Sequence, residues 1–205
     1  MCWFEQEKLI IVTSLPMIEH VLSFLKEQLN SYIRVKTGAQ DFEVVFVRER
    51  NQKDVSFQND AITTLLVNLE EDYTFRSGAA YERMPNQGGN SPKNPNIYLN
   101  LYILFAANFT DYEQSLQFLS LIIKFFQSHR LFNQHNSPTL NSEIQKLTLE
   151  LVNLSFTEQR EVWASLGMSY MPSAIYKIRM VVFTDADTVE VSSDIADNVV
   201  LTSNI

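Results

Sequence analysis

Apolar and polar positions along this chain alternate with two different periods, and the switches between them mark its elements. Ile18, Val21, Leu22, Leu25, Leu29, Tyr32 and Ile33 recur every three or four residues, with Glu19, Lys26, Glu27 and Gln28 between them. That spacing gathers one apolar stripe on a helix, and Ser14 with Pro16 supplies a cap and a first-turn proline to start it. From Phe42 to Val47 the residues become β-branched and aromatic, which predicts a short strand paired with the next one. The polar segment from Arg48 to Asp60 follows it. Between Ile62 and Phe75 the period is two. Leu65, Val67 and Leu69 share one face, while Thr64, Asn68 and Glu70 fall largely on the other, which predicts a strand in a sheet with one covered face.

Glycine, proline and asparagine are too dense between Arg76 and Asn96 for a regular element, so this segment reads as a long loop. Ile97, Leu99, Leu101, Ile103, Phe105 and Ala107 then form an unbroken apolar face, the signature of a central strand. Thr110 and Glu113 have the spacing of a capping box. The helix they open carries Tyr112, Leu116, Leu119, Ile123 and Phe126, and Phe118, Ile122 and Phe125 widen its stripe. So wide a stripe calls for two partners: the sheet, and either the first helix or another subunit.

Past the turn HNSPTLNS, Leu147, Leu149 and Leu151 alternate with Lys146, Thr148 and Glu150 as a further strand. Ser155 and Glu158 repeat the capping-box spacing, with Val162, Trp163 and Leu166 anchoring a short helix that Gly167 ends. The last strand runs from Ala174 to Phe183, with Tyr176, Ile178, Met180 and Val182 on its apolar face. The fold class is α+β: a single domain with a mainly antiparallel sheet of four to five strands, on which two long helices and one short helix pack. Residues 1–16 form a lead, 17–184 the domain with its loop at 76–96, and 185–205 an acidic tail. The tail's strand-capable pieces, Thr188 to Val191 and Val199 to Thr202, suit either addition to a partner's sheet edge or disorder.

Composition narrows the function. The 205 residues are 45% hydrophobic and carry a net charge of −8, which disfavours nucleic acid and anionic membranes as partners. Cys2 is the single cysteine, so no internal disulfide forms. The apolar patch from Leu9 to Val12 is too short for a secretory signal, and no run reaches the roughly 18 apolar residues of a spanning helix. His20, His129 and His135 have no thiol or carboxylate completing a metal set, and His129 suits a helix-terminal cation. Glu70, Glu71 and Asp72 lack a base partner. Glu70 and Asp72 share a strand face as a solvated edge or an intersubunit contact, which fits better than paired catalytic acids. Gly88 and Gly89 lack the lysine and helix of a phosphate loop. No catalytic, metal or cofactor residue is assigned, and the candidate interface is Asn68, Glu70, Glu71, Asp72, Tyr73, Phe118, Ile122 and Phe125.

Three phrases carry a family resemblance: TLLVNLEEDYTFR from Thr64 to Arg76, the stretch from Pro95 to Gln127, and LTLELVNLSFTEQREVWASLG from Leu147 to Gly167 followed by YMPSAIYKIRMV. In their order, spacing and paired Asn-Leu phrases (Asn68-Leu69 and Asn153-Leu154) they resemble the cap, or tail-terminator, proteins of extracellular contractile injection systems. This family was first grouped as a domain of unknown function in phage-tail-like gene clusters. The resemblance covers roughly residues 17 to 184, and the lead before Pro16 departs from it. It implies a non-enzymatic hexameric ring on the distal end of inner tube and sheath, assembled in the bacterial cytoplasm before joining the particle. Its implied partners are sheath protein, tube protein and in some particles a second cap paralogue, without cofactor, nucleic acid or membrane insertion. Six copies at −8 each would carry −48, unfavourable for a DNA-threading channel. Sheath arms are expected to pair with an exposed sheet edge. Two other readings compete: a phage head-to-tail connector, and a small enzyme whose long loop lids a pocket over Glu70, Asp72 and Tyr73.

Overall fold

In the computed structural model, which describes residues 17–38, 44–51, 54–73 and 97–182, the central feature is a six-stranded sheet with a helical layer on one face. The elements are α1 (Met17–Thr37), β1 (Val44–Phe46), β2 (Arg48–Asn51), β3 (Asp54–Ser56), β4 (Ala61–Glu71), β5 (Ile97–Asn108), α2 (Tyr112–Ser128), β6 (Leu131–Asn133), β7 (Ile144–Leu151), α3 (Phe156–Ser165) and β8 (Ser173–Val182). Strand order in the main sheet is β1-β4-β5-β8-β7-β6, and β2 and β3 pair as a separate two-stranded ribbon. The expectations for the lead, the 76–96 loop and the acidic tail lie outside the described residues.

Sheet positions obey the period-two rule, so each strand offers side chains to both faces. Leu101, Ile103, Phe105 and Ala107 of β5, with Tyr176, Ile178 and Met180 of β8, are buried on the face covered by α1 and α2. From α1 this core takes Val21, Phe24, Leu25, Leu29 and Ile33, and from α2 it takes Phe118, Ile122, Phe125 and Phe126. Phe126 packs between Phe105 and Tyr176, with ring centroids 5.2 and 4.6 Å away. Both partners that the α2 stripe calls for are thus within the chain: the sheet and α1.

The opposite face is not bare. Leu104, Ala106 and Ile175 form a second, smaller cluster with Phe57 and with Trp163, the buried anchor of α3. Ser155 caps α3 in a reciprocal box with Glu158, and Gly167 follows its end at φ 65°, a left-handed geometry that glycine adopts without penalty.

The structure departs from the sequence expectations at four places. The sheet has six strands because β6, only three residues long, joins its edge, and the polar segment after β1 contains the β2–β3 ribbon. β1 does pair with β4, but in parallel, with Val44 opposite Ile62 and Phe46 opposite Thr64. The residue capping α2 is Asp111, whose carboxylate accepts the Glu113 N–H at 3.0 Å. Thr110 turns instead to Asp60, which accepts its N–H and hydroxyl at 3.2 and 3.3 Å and ties the start of β4 to the start of α2.

The fourth departure lies within β4, where the register slips between Leu66 and Asn68. A bulge inserts a residue and reverses the side-chain alternation that follows it. Leu65 therefore lies opposite Leu104 on the α3 side, while Leu69 lies opposite Leu101 on the helix-layer side and is exposed at the strand end. Thr64, buried opposite Phe105, is likewise parted from Asn68 and Glu70.

Candidate functional site

Beyond the bulge, the sheet face opposite α1 and α2 becomes polar and open. The register sets Asn68 beside Tyr102, Tyr102 beside Lys177 and Lys177 beside Glu150. A parallel row runs from Glu70 through Asn100 and Arg179 to Thr148. Within this ladder Glu70 accepts the Tyr102 hydroxyl at 2.9 Å and the Asn68 amide at 3.1 Å. Asp72 is buried and forms an ion pair with Arg179 at 3.3 Å, and its N–H donates to Tyr98 C=O at 2.8 Å. Lys177 Nζ lies 5.7 Å from the centre of the Tyr102 ring. Partial desolvation, the hydrogen bond to Glu70, and the charges of Glu70 and Asp72 together raise the Tyr102 phenol above its ordinary value.

This arrangement engages its carboxylates structurally. Glu70 and Asp72 share a face, as their spacing implies, but their contacts are a phenol, an amide and a guanidinium rather than a base and a nucleophile. By register Glu71 sits opposite Leu99, on the other face, and Tyr73 is exposed beyond the strand. Of the candidate residues on β4 and just past its end, the fold therefore collects Asn68, Glu70 and Asp72. Beside Arg179 the ladder borders an open cleft of about 520 Å³ that also takes in Tyr98, His135 and Lys146.

The α2 candidates need correction. Phe118, Ile122 and Phe125 are 4%, 0% and 3% exposed, so they are spent inside the chain and offer nothing to a neighbour. A wide stripe fixes how much of a helix is apolar without saying which part faces its own sheet. The apolar residues that α2 leaves outward are Tyr112, Leu116 and Ile123. Phe156 at the start of α3, 91% exposed, and Tyr170 add apolar surface beside the second cluster.

The histidines stay apart. His129 is the C-cap of α2, with Nδ1 2.9 Å from Phe125 C=O, the helix-terminal position its sequence context suggests. Among the described residues no group of three His, Cys, Asp or Glu side chains converges as a metal site, and no helix is long and apolar enough to cross a membrane.

Comparison with solved structures places the fold. The chain is similar to the sheath/tube terminator of an extracellular contractile injection system, PVC, in its extended state, with a TM-score of 0.53 at 17% identity over 95% of this chain and 66% of that one. It is also similar to the tube-terminating cap of the anti-feeding prophage, with a TM-score of 0.54 at 13% identity over 93% of this chain and 62% of that one. The chain thus spans slightly less than two thirds of the length of either. No curated protein matches it. At such identities the structural likeness speaks for the fold, and the family rests on the sequence itself: residues 20–196 match the Pvc16 N-terminal domain, and the chain belongs to that family.

Proposed function

We propose that this chain is a structural cap of a contractile, phage-tail-like injection particle. Six copies form a ring on the distal end of the inner tube and sheath, end their polymerisation and hold the sheath extended. The observation that carries this reading is the pairing of family membership with a fold shared, over nearly the whole chain, with two terminators of such particles. The described surface supports it. Glu70 and Asp72 are tied into a side-chain ladder rather than poised for turnover, and outward apolar residues on α2 and α3 await cover.

A closed ring needs two different, complementary surfaces on each subunit. We assign ring contacts to the outward side of α2, with Tyr112, Leu116 and Ile123, and to the polar ladder of Asn68, Glu70 and Asp72 with the exposed Glu71 and Tyr73 beside it, each meeting a patch of its own kind on a neighbouring subunit. Sheath and tube proteins, and in some particles a second cap paralogue, are the partners in this reading. Assembly takes place in the bacterial cytoplasm before the particle is released.

Deleting the gene and measuring tube and sheath lengths by negative-stain electron microscopy tests the proposal. The expected result is overlong or contracted particles of scattered length, restored by supplying the intact chain. Particles of normal, uniform length in the deletion strain would sink it.

A further inference from the structure

The sheet face opposite α1 and α2 ends in a cleft whose charge is the reverse of the chain's. About 520 Å³ in volume, it lies over the last residues of β8 and the first of β7, where Val181 and Lys146 meet His135 from the turn after β6. Among the described residues that line it there is no carboxylate. Arg179, also in the lining, is held by Asp72 at 3.3 Å. The groups left to meet an anion are therefore the Lys146 ammonium and the His135 ring, both on exposed residues.

Lys146 stands in this cleft because β7 bulges. Ile144 lies opposite Val182 and Lys146 opposite Val181, so Gln145 is inserted between them. In an even strand, residues two apart share a face. The bulge breaks that rule, leaving Ile144 at 0% exposure in the core while Lys146 faces the cleft.

The chain itself carries the charge that the cleft lacks. β8 ends at Val182, one residue beyond the Val181 of the lining. From there the sequence 183–205 supplies Asp185, Asp187, Glu190, Asp194 and Asp197 and no lysine or arginine, which is five of the chain's eight net negative charges. Lys146 is paired with Val181, so it lies one strand away, about 5 Å. The four residues from Val181 to Asp185 span up to about 14 Å, which puts Asp185 and the acids after it within reach of Lys146. So short a tether holds them near the cleft at roughly millimolar effective concentration, an advantage that no segment of another molecule shares.

We propose that this cleft is the docking site of the chain's own acidic segment, with Asp185, Asp187 and Glu190 seated against Lys146 and His135. The contact is made by side-chain charge over the sheet face and adds no strand to an edge. It closes the cleft to other anionic ligands and covers the end of the polar ladder beside Arg179. It stands on charge and connectivity within one chain and does not depend on the cap reading.

The test is zero-length carbodiimide cross-linking of the purified full chain, which joins an amine to a carboxylate only where the two touch, followed by trypsin digestion and mass spectrometry. No lysine or arginine follows Arg179, so the segment is recovered in one peptide. Lys146 is expected to link to Asp185, Asp187 or Glu190, about five-fold less in concentrated than in dilute sodium chloride, because salt screens exposed charges. Lys124, exposed on α2, is the control and should not link. In a mixture of isotopically light and heavy chains the links should fall within one chain. Combining Lys146→Glu with Asp185→Lys and Asp187→Lys should restore a link between position 146 and the segment. Lys146 is exposed, so these changes spare the core, and circular dichroism verifies the fold. The proposal is overturned if Lys146 does not link, if Lys124 links equally, if salt has no effect, if the links join different chains, or if the reversed charges fail to link.

Discussion

Replacing Phe125 by alanine separates a core role from an interface role, and its magnitude follows from the packing. The ring meets Tyr32 of α1 at 5.2 Å, Phe126 at 5.1 Å, Phe132 of β6 at 6.4 Å and stacks on His129 at 4.5 Å. It therefore joins both long helices to an edge strand. Burying an aromatic side chain removes roughly 150–250 Å² from water, or about 4–6 kcal/mol at ~25 cal/mol per Å². Alanine retains part of that, and the denatured chain already hides some of it. The expected loss is about 3–4 kcal/mol, within the range for such truncations and a large part of a typical stability of about 5–15 kcal/mol. Ile123, 36% exposed on the same helix, is the control, and Ile123→Ala should cost under about 1 kcal/mol. Urea unfolding followed by circular dichroism measures both, with light scattering reporting the mass. If Phe125→Ala leaves stability intact and lowers only the mass, the ring belongs to a subunit interface and the reasoning is refuted.

Two further predictions concern pH. Hydrogen bonds from the Ser155 backbone and hydroxyl hold the Glu158 carboxyl below its ordinary value of 4.5. The folded state thus binds fewer protons, and this stabilisation is present above 4.5 and lost as pH falls through the folded value. The α3 amides should lose exchange protection in that acid window, and Glu158→Gln should flatten the response. Ser155→Ala should destabilise the chain by about 1 kcal/mol at neutral pH. Burial raises the Tyr176 phenol above 10.0, so its contribution is complete below 10.0 and lost as pH rises through the folded value. Tyr176→Phe should reduce that alkaline loss in a thermal-melt series, with a remainder from Tyr102, whose phenol is raised in the same direction. An unchanged alkaline slope would contradict the assignment.

What the sequence determined by itself is local. The three helices follow from the spacing of their apolar residues within a turn or two, and at α3 the box at Ser155 and Glu158 forms as its residues imply. The apolar face of β5 is equally legible, because alternation over twelve residues leaves a strand little choice. Even the pairing of Glu70 with Asp72 on one face follows from period two.

Tertiary structure decided the rest. The bulge in β4 that separates Leu69 from Leu65 is a mismatch between two strands, so neither strand's pattern contains it. The strand β1 was legible in its β-branched and aromatic composition, but its parallel pairing was not, and β6, three residues long, shows no period and exists because a neighbour completes its hydrogen bonds. Thr110 and Asp111 are both good caps, and the choice fell to Asp111 because Asp60, fifty residues earlier, holds Thr110. The stripe on α2 announced how much surface would be buried, but only the docking of α1 settled that Phe118, Ile122 and Phe125 lie inside. Asn30 reads in the sequence as a weak helix former on an amphipathic face. Its hydrogen bonds to both backbone groups of Val44 appear only where the chain returns fourteen residues later to place that strand against it, since hydrogen-bond complementarity between distant segments is a property of the packed chain.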